Sequence, residues 1–348
     1  MISDKPIALV GGTGSPYTQK MLALLRYRRL PYAITWGQPA EVCQILGIEP
    51  PKPALMPTFL FEGEGGITPV CDSTPVIRQL EPLMPQRAVI PSDPALAFLD
   101  YLIEDFADEW CTKYMFHYRW HPPEDADNAG TLLPLGFGVT LDDAAHQQLK
   151  DWVTQRQVSR LYVVGSSDAT ADLIDASYRR FLAAMERHLS QQRFMLGNRP
   201  SACDFALFGQ LSQLVGFDPT PRAIAHVLSP RAVAWVDQVA DLSGLAPQEN
   251  DWLSTQDQAA SLRDVLAEIG RVYAPAQLAN AEAVASSAQS WQIEMDGVLW
   301  QQQTFSYQAK CLRWTREMYD QLSEIARAQV DQLISGTGIE AMLAETIQ

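Results

Sequence analysis

The sequence predicts an α/β domain over residues 1–85, an all-helical domain over residues 93–244, and a helical extension with one β-hairpin over residues 245–348. Three observations predict it. Short β-branched and apolar stretches alternate with helical ones in the order β-α-β-α-β-β-α as far as Leu83. Apolar residues at helical spacing take over from Asp93-Pro94. Much later, Trp291 to Trp300 alternates apolar and polar residues across Asp296-Gly297, the signature of a hairpin.

Ile7 to Val10 reads as the first strand, and Ser15-Pro16 opens the first helix. A serine hydroxyl at the N-cap satisfies an orphan amide, and proline at the next position has no amide to lose. Tyr17, Met21, Leu24 and Leu25 then share one face, and the helix should end near Leu30-Pro31. Tyr32 to Trp36 is a second strand, Ala40 to Leu46 a short helix, and Leu55 to Phe61 a third strand behind a proline-rich loop. Glu62 to Gly66 turns the chain, Ile67 to Cys71 returns, and Asp72-Ser73 caps a helix from Thr74 to about Leu83.

Three joints of this domain invite chemistry. A helix N-terminus beside a serine hydroxyl favours an anion, so Ser15 is a candidate ligand contact as well as a cap. Pro57 stands directly before a strand, where a cis bond would expose the backbone of Met56. Asp72-Ser73 offers a carboxylate and a hydroxyl beside free amides, which suits a ligand carrying an ammonium and a carboxylate on one carbon.

Ser15-Pro16-Tyr17-Thr18-Gln19-Lys20-Met21 resembles the Cys-Pro-Tyr-Cys-x-Lys-Val turn of glutaredoxins with both cysteines replaced, and the element order resembles a thioredoxin-like domain. With Pro57 and Asp72-Ser73 in place, residues 1 to about 243 resemble a cytosolic glutathione transferase of the serine type. That resemblance implies glutathione as co-substrate, with Ser15 as the catalytic residue that hydrogen-bonds its sulfur. Met56, before the cis Pro57, would pair with the cysteinyl unit, and Asp72 and Ser73 would hold the γ-glutamyl end. The commoner family spelling of that last pair is Glu-Ser. The resemblance further implies a small electrophile as second substrate and a homodimer joined through the helices that begin near Thr74 and Pro94. Loss of both glutaredoxin cysteines disfavours mixed-disulfide chemistry and leaves transfer, ether or thioether cleavage, isomerisation and dehalogenation open. A binding or assembly protein on the same fold, without turnover, is the alternative from another class.

In the second domain Leu96, Leu99, Ile103, Phe106, Trp110, Tyr114, His117 and Tyr118 define one face of a helix of about twenty-five residues. In the family this helix walls the electrophile pocket, which makes Trp110, Tyr114 and Tyr118, with Tyr17, the pocket candidates; the other reading of such rings is core. Glu124 to Gly130 reads as polar and structureless, and Leu132 to Val139 as a lid or an excursion over the cleft. Helices are expected at Leu141 to Val158 and Ala171 to Gln191, then a Ser201-x-x-Asp204 capping box and a helix opened by Ser229-Pro230. In the extension, Leu262 to Ala279 and Tyr307 to Leu333 read as helices, and the one-sided hairpin needs a surface to lie on, expected to be the helical domain.

Composition excludes some function classes. The net charge is -15 and lies beyond the first domain: residues 1–85 carry seven Lys/Arg and seven Asp/Glu, leaving 19 against 34. Such a surface repels phosphate backbones and anionic lipid, so neither nucleic acid nor membrane is an expected partner. Five cysteines without a C-x-x-C pair fit free thiols in a reducing compartment. No apolar run reaches membrane-spanning length and the first residues do not read as a signal peptide, so a cytoplasmic location is expected. His117 and His121 alone have metal-ligand spacing, without a carboxylate motif around them, and no metal is expected.

Overall fold

Strand register decides where this chain can build a site. The computed structural model describes residues 5–344. The first unit contains β1 (Ile7–Gly11), α1 (Pro16–Tyr27), β2 (Tyr32–Trp36), α2 (Pro39–Ile45), β3 (Thr58–Gly63), β4 (Gly66–Val70) and α3 (Ser73–Leu80), in the expected order. The sheet runs β2-β1-β3-β4, with β1 parallel to β2 and antiparallel to β3, and β3 antiparallel to β4. Val10 lies opposite Thr58, and Phe59 opposite Val70. Hence β1 and β4 finish, and β3 begins, at one end of the sheet. The segments 12–15, 56–57 and 71–73 emerge there side by side.

The helical unit begins with α4 (Pro94–Phe106), a π-helical turn (Ala107–Cys111) and α5 (Thr112–Trp120). The long helix expected from periodicity is therefore interrupted in register, since a π turn inserts an extra residue per turn and re-aims the side chains that follow. Next come α6 (Pro123–Leu135), α7 (Asp143–Val158), α8 (Ala171–Leu189), α9 (Ala202–Leu214), α10 (Pro219–Leu228) and α11 (Pro230–Val239). The capping box of Ser201 and Asp204 is formed, and Ser229 caps α11. Helix α9 packs on α1 so closely that a Cβ on Gly209 would stand 2.5 Å from the carbonyl oxygen of Pro16.

One expectation fails here. Glu124 to Gly130 is helical, as most of α6. Pro123 fills the first helical position and Glu124 and Asp125 the first turn, where proline and negative charge suit a helix start. Ala126 and Ala129 are buried, Asp125 Oδ1 accepts the amide of Thr220 (2.9 Å), and a Cβ on Gly130 would meet Thr154 of α7 at 2.2 Å. Helix packing overrides the weak propensity of Asp, Asn and Gly.

The extension supplies α12 (Leu262–Glu268), a second π turn (Ile269–Tyr273), α13 (Ala274–Ala285), β5 (Ser290–Met295), β6 (Val298–Gln303), α14 (Ser306–Asp320), α15 (Glu324–Ile334) and α16 (Glu340–Leu343). Asp296 (φ 52°) and Gly297 (φ 77°) make the hairpin turn, both left-handed as a two-residue turn of this hand requires. The hairpin buries Trp291, Met295, Trp300 and Gln302. Trp300 packs on Trp110 (centroids 5.3 Å apart) and against Gly165, where any side chain would strike its ring. The single helix expected from Tyr307 to Leu333 is two, because Ser323 starts a new one as N-cap.

Helices α14 and α15 lie across α4, with Phe98 against Tyr319 and Arg78 of α3 reaching Met318 Sδ (3.8 Å). From Ala95 to Phe106, α4 is buried at every residue except Ala97. Part of the surface of α4, one of the two helices through which the resemblance joins a two-fold mate, is thus covered by the chain's own extension. Among the described residues no helix is long and apolar enough to cross a membrane.

Candidate functional site

Ser15 adopts an extended conformation (φ -94°, ψ 118°) and its Oγ accepts the amide of Thr18 (3.2 Å), so the cap predicted from sequence is made. Its side chain remains partly exposed, above the N-terminus of α1. The Met56-Pro57 bond is cis, as is Lys52-Pro53. Met56 lies just outside the β3 ladder with its thioether over Gly12, where a Cβ would stand 3.1 Å from Sδ and 3.2 Å from the ring of Phe137. Phe137 follows α6, so the segment expected to cover the cleft does reach the turn. Leu133 and Gly136 of the same segment press on Gly14 and Thr13.

Asp72 is the N-cap of α3 at φ 84°, ψ 107°, a conformation that costs a non-glycine residue about 1–3 kcal/mol. Its Oδ1 accepts the amide of Thr74 (3.3 Å), and its Oδ2 accepts the hydroxyl of Tyr307 (2.7 Å). Ser73 is buried, and its Oγ accepts a hydrogen bond from Lys20 Nζ (2.9 Å), which leaves its own O–H free to donate. Two helix N-termini, those of α1 and α3, therefore face the same end of the sheet.

Beneath them lies a buried charge cluster. Lys20, 1% exposed, also donates to Glu104 Oε1 (2.8 Å) and Asp108 Oδ2 (2.6 Å). Burial alone would depress the Lys20 pKa, but Asp108 and Glu104 more than reverse this and it is raised. The Asp108 carboxyl is itself pushed up by burial against the pull of Lys20. Asp105 is raised to about 8 by burial and by Glu109, while accepting the hydroxyl of Tyr273 (2.5 Å).

A second buried ion pair fixes the turn from the other side. Arg119 Nε and Nη2 donate to Asp218 (3.0–3.1 Å), Nη2 also to Gln213 Oε1 (2.8 Å), and Nη1 to the carbonyl oxygen of Gly14 (2.7 Å). One guanidinium thus orients the peptide that precedes Ser15. Burial raises Asp218 to about 6 despite Arg119.

The expected pocket aromatics sit elsewhere. Trp110, Tyr114 and Tyr118 are 1–3% exposed and belong to the core. Trp110 Nε1 donates to Tyr114 Oη (3.0 Å), Tyr114 Oη meets Ser177 Oγ (2.7 Å), and Tyr118 donates to Asp175 Oδ1 (2.6 Å). The hairpin and α8 cover the face that an open pocket would need, which is why helical spacing misassigned it. Tyr17 stays near the turn, but its hydroxyl is spent on the carbonyl oxygen of Asp108 (2.7 Å), and burial with the Glu109 and Asp108 charges keeps the phenol protonated. His117 Nδ1 pairs with Ser166 and His121 Nε2 with Asp168.

Lys20, Asp108, Arg119, Asp218, Phe137 and Tyr307 escaped the sequence reading. One signal existed: Asp100, Glu104 and Asp108 recur every fourth residue, with Asp105 and Glu109 beside them, on a largely apolar helical stretch, and carboxylates in such a stripe need buried partners.

Residues 168–238 match the family model for the glutathione S-transferase C-terminal domain. They run from just before α8 into α11, within the helical unit that follows the four-stranded sheet. Among solved structures it is similar to the tau class glutathione S-transferase MiGSTU of mango, Mangifera indica (14% identity over 70% of this chain and 94% of that one, TM-score 0.41). It is also similar to the beta-etherase LigF of Sphingobium sp. strain SYK-6 (17%, 68% and 95%, TM-score 0.47) and to FzlA of C. crescentus (16%, 75% and 99%, TM-score 0.38). No curated protein matches the chain in sequence.

Proposed function

We propose that the protein binds glutathione at the end of the sheet and activates its thiol for attack on a small, apolar electrophile. The observation that carries this reading is the register that gathers Ser15, Met56-Pro57 and Asp72-Ser73 at one end, below two helix N-termini. The γ-glutamyl ammonium pairs with Asp72 and its carboxylate takes the Ser73 hydroxyl and the amides of α3. The cysteinyl unit lies along the backbone of Met56. The Ser15 hydroxyl then donates to sulfur, and with the α1 dipole it favours thiolate over thiol, the form that attacks. Ser15 acts as a hydrogen-bond donor and forms no covalent bond.

Phe137 and Leu133, which border the turn, give the electrophile an apolar neighbourhood. Five free cysteines suit a compartment where glutathione is kept reduced. Titration calorimetry tests the site. Glutathione binds the parent protein, and Asp72→Ala weakens it by about tenfold or more, the loss of a charge-assisted contact. Equal affinity in the two proteins contradicts the assignment of Asp72.

A further inference from the structure

We infer that Tyr307 is a positioning residue of the γ-glutamyl subsite, brought there by the C-terminal extension. The inference rests on the role given to Asp72 above. Tyr307 is the second residue of α14, and its hydroxyl crosses from the extension to Asp72 Oδ2 at 2.7 Å. Its ring is held independently, edge-on to Trp314 two turns further along the same face of α14 (centroids 6.1 Å apart). The next residue, Gln308, donates to Glu109 Oε2 (3.0 Å). Two consecutive side chains therefore tie the extension to a carboxylate of the first unit and a carboxylate of the helical unit.

The chemistry of that contact is specific. A carboxylate offers about four acceptor positions, and Asp72 has two engaged, by the Thr74 amide and the Tyr307 hydroxyl. The rest are free for an ammonium. The phenol oxygen, having donated its proton to Asp72, can still accept, so an ammonium docked on Asp72 has a second acceptor within reach. Burial and the negative charge of Asp72 hold the phenol pKa far above its usual value, so it stays a donor to the carboxylate. Tyr307 is 41% exposed, which leaves the contact open to a ligand from solvent. A γ-amino-acid end that presents a free α-ammonium is the ligand class this pair selects.

The test is a double-variant cycle on the intact chain, read as glutathione affinity by calorimetry in the parent, Tyr307→Phe, Asp72→Ala and the double variant. Phenylalanine keeps the ring on Trp314, and an unchanged melting temperature checks that α14 stays seated. Tyr307→Phe is expected to weaken glutathione about tenfold and to have no further effect once Asp72 is alanine, because the hydroxyl acts through that carboxylate. Unchanged affinity in Tyr307→Phe, or the same loss in the Asp72→Ala background, overturns the inference. A parent that binds no glutathione at millimolar concentration instead defeats the site reading, and this inference with it, so the two failures are told apart.

Discussion

Replacing Arg119 with methionine is expected to destabilise the protein by about 3–5 kcal/mol. Methionine fills similar volume but leaves Asp218, fully buried, without its cation, and leaves Gln213 Oε1 and the Gly14 carbonyl without their donor. Asp218 is already pushed up to about 6 with Arg119 present. Without it the carboxyl takes up a proton, which softens the loss without restoring the hydrogen bonds to Asp218, Gln213 and Gly14. Arg119→Lys keeps the charge but cannot reach Asp218, Gln213 and Gly14 at once, because an ammonium lacks the planar fork. Chemical denaturation of the three proteins measures this. A loss below about 1 kcal/mol in Arg119→Met would place the pair among interactions that a hydrophobic replacement matches.

Lys20→Met is expected to cost a similar amount, about 3–5 kcal/mol, and the cost should grow with pH. Asp108 and Asp105 have pKa values raised in the folded protein, Asp105 to about 8, against about 3.9 in an unfolded chain. The native state therefore binds more protons than the unfolded one in that window, and their contribution to stability is complete below about pH 4 and lost as pH rises through the folded values. Removing the ammonium raises Asp108 further, so the decline becomes larger and extends to higher pH. Denaturation midpoints of parent and variant across that range test the sign. A constant difference between them would mean that Asp108 does not titrate with folding.

Both predictions concern residues that the sequence left silent, and the reason is general. Helix caps, the cis-proline position, the hairpin turn and the capping box are local: each is written in two to four adjacent residues, and each is found where expected. Arg119 with Asp218 and Tyr307 with Asp72 join residues 99 and 235 positions apart. No local pattern encodes such a pairing. The aromatics of the π turn and α5 fail for a related reason. Periodicity says that Trp110, Tyr114 and Tyr118 share a face, but what covers Trp110 is a hairpin nearly two hundred residues later, and what covers the two tyrosines is α8. In α6 the local signal pointed the wrong way, since Asp, Asn and Gly read as a loop while buried alanines and a glycine at the α7 contact hold a helix. The three-part candidate site was legible because its residues lie at strand and helix ends, where caps and prolines mark the chain. The way in which the extension touches it was not.

Ser15 is proposed to serve the sulfur of glutathione as well as the backbone of α1, and the pKa of the bound thiol separates these two roles. The two jobs are separable in size and in kind. Losing the cap costs about 0.5–2 kcal/mol of stability, which a packed domain tolerates. Losing a hydrogen bond to a thiolate costs about 1.5–3 kcal/mol, or roughly one to two pKa units at about 1.4 kcal/mol each. Thiolate absorbance in the ultraviolet, titrated with pH in glutathione complexes of the parent and of Ser15→Ala, reads that shift. A thiol pKa higher by roughly one to two units in Ser15→Ala and a slower thiolate reaction on an intact fold are the expected result. An unchanged thiol pKa with a lowered melting temperature would contradict it, leaving Ser15 a helix cap and favouring a protein that uses this fold without turnover.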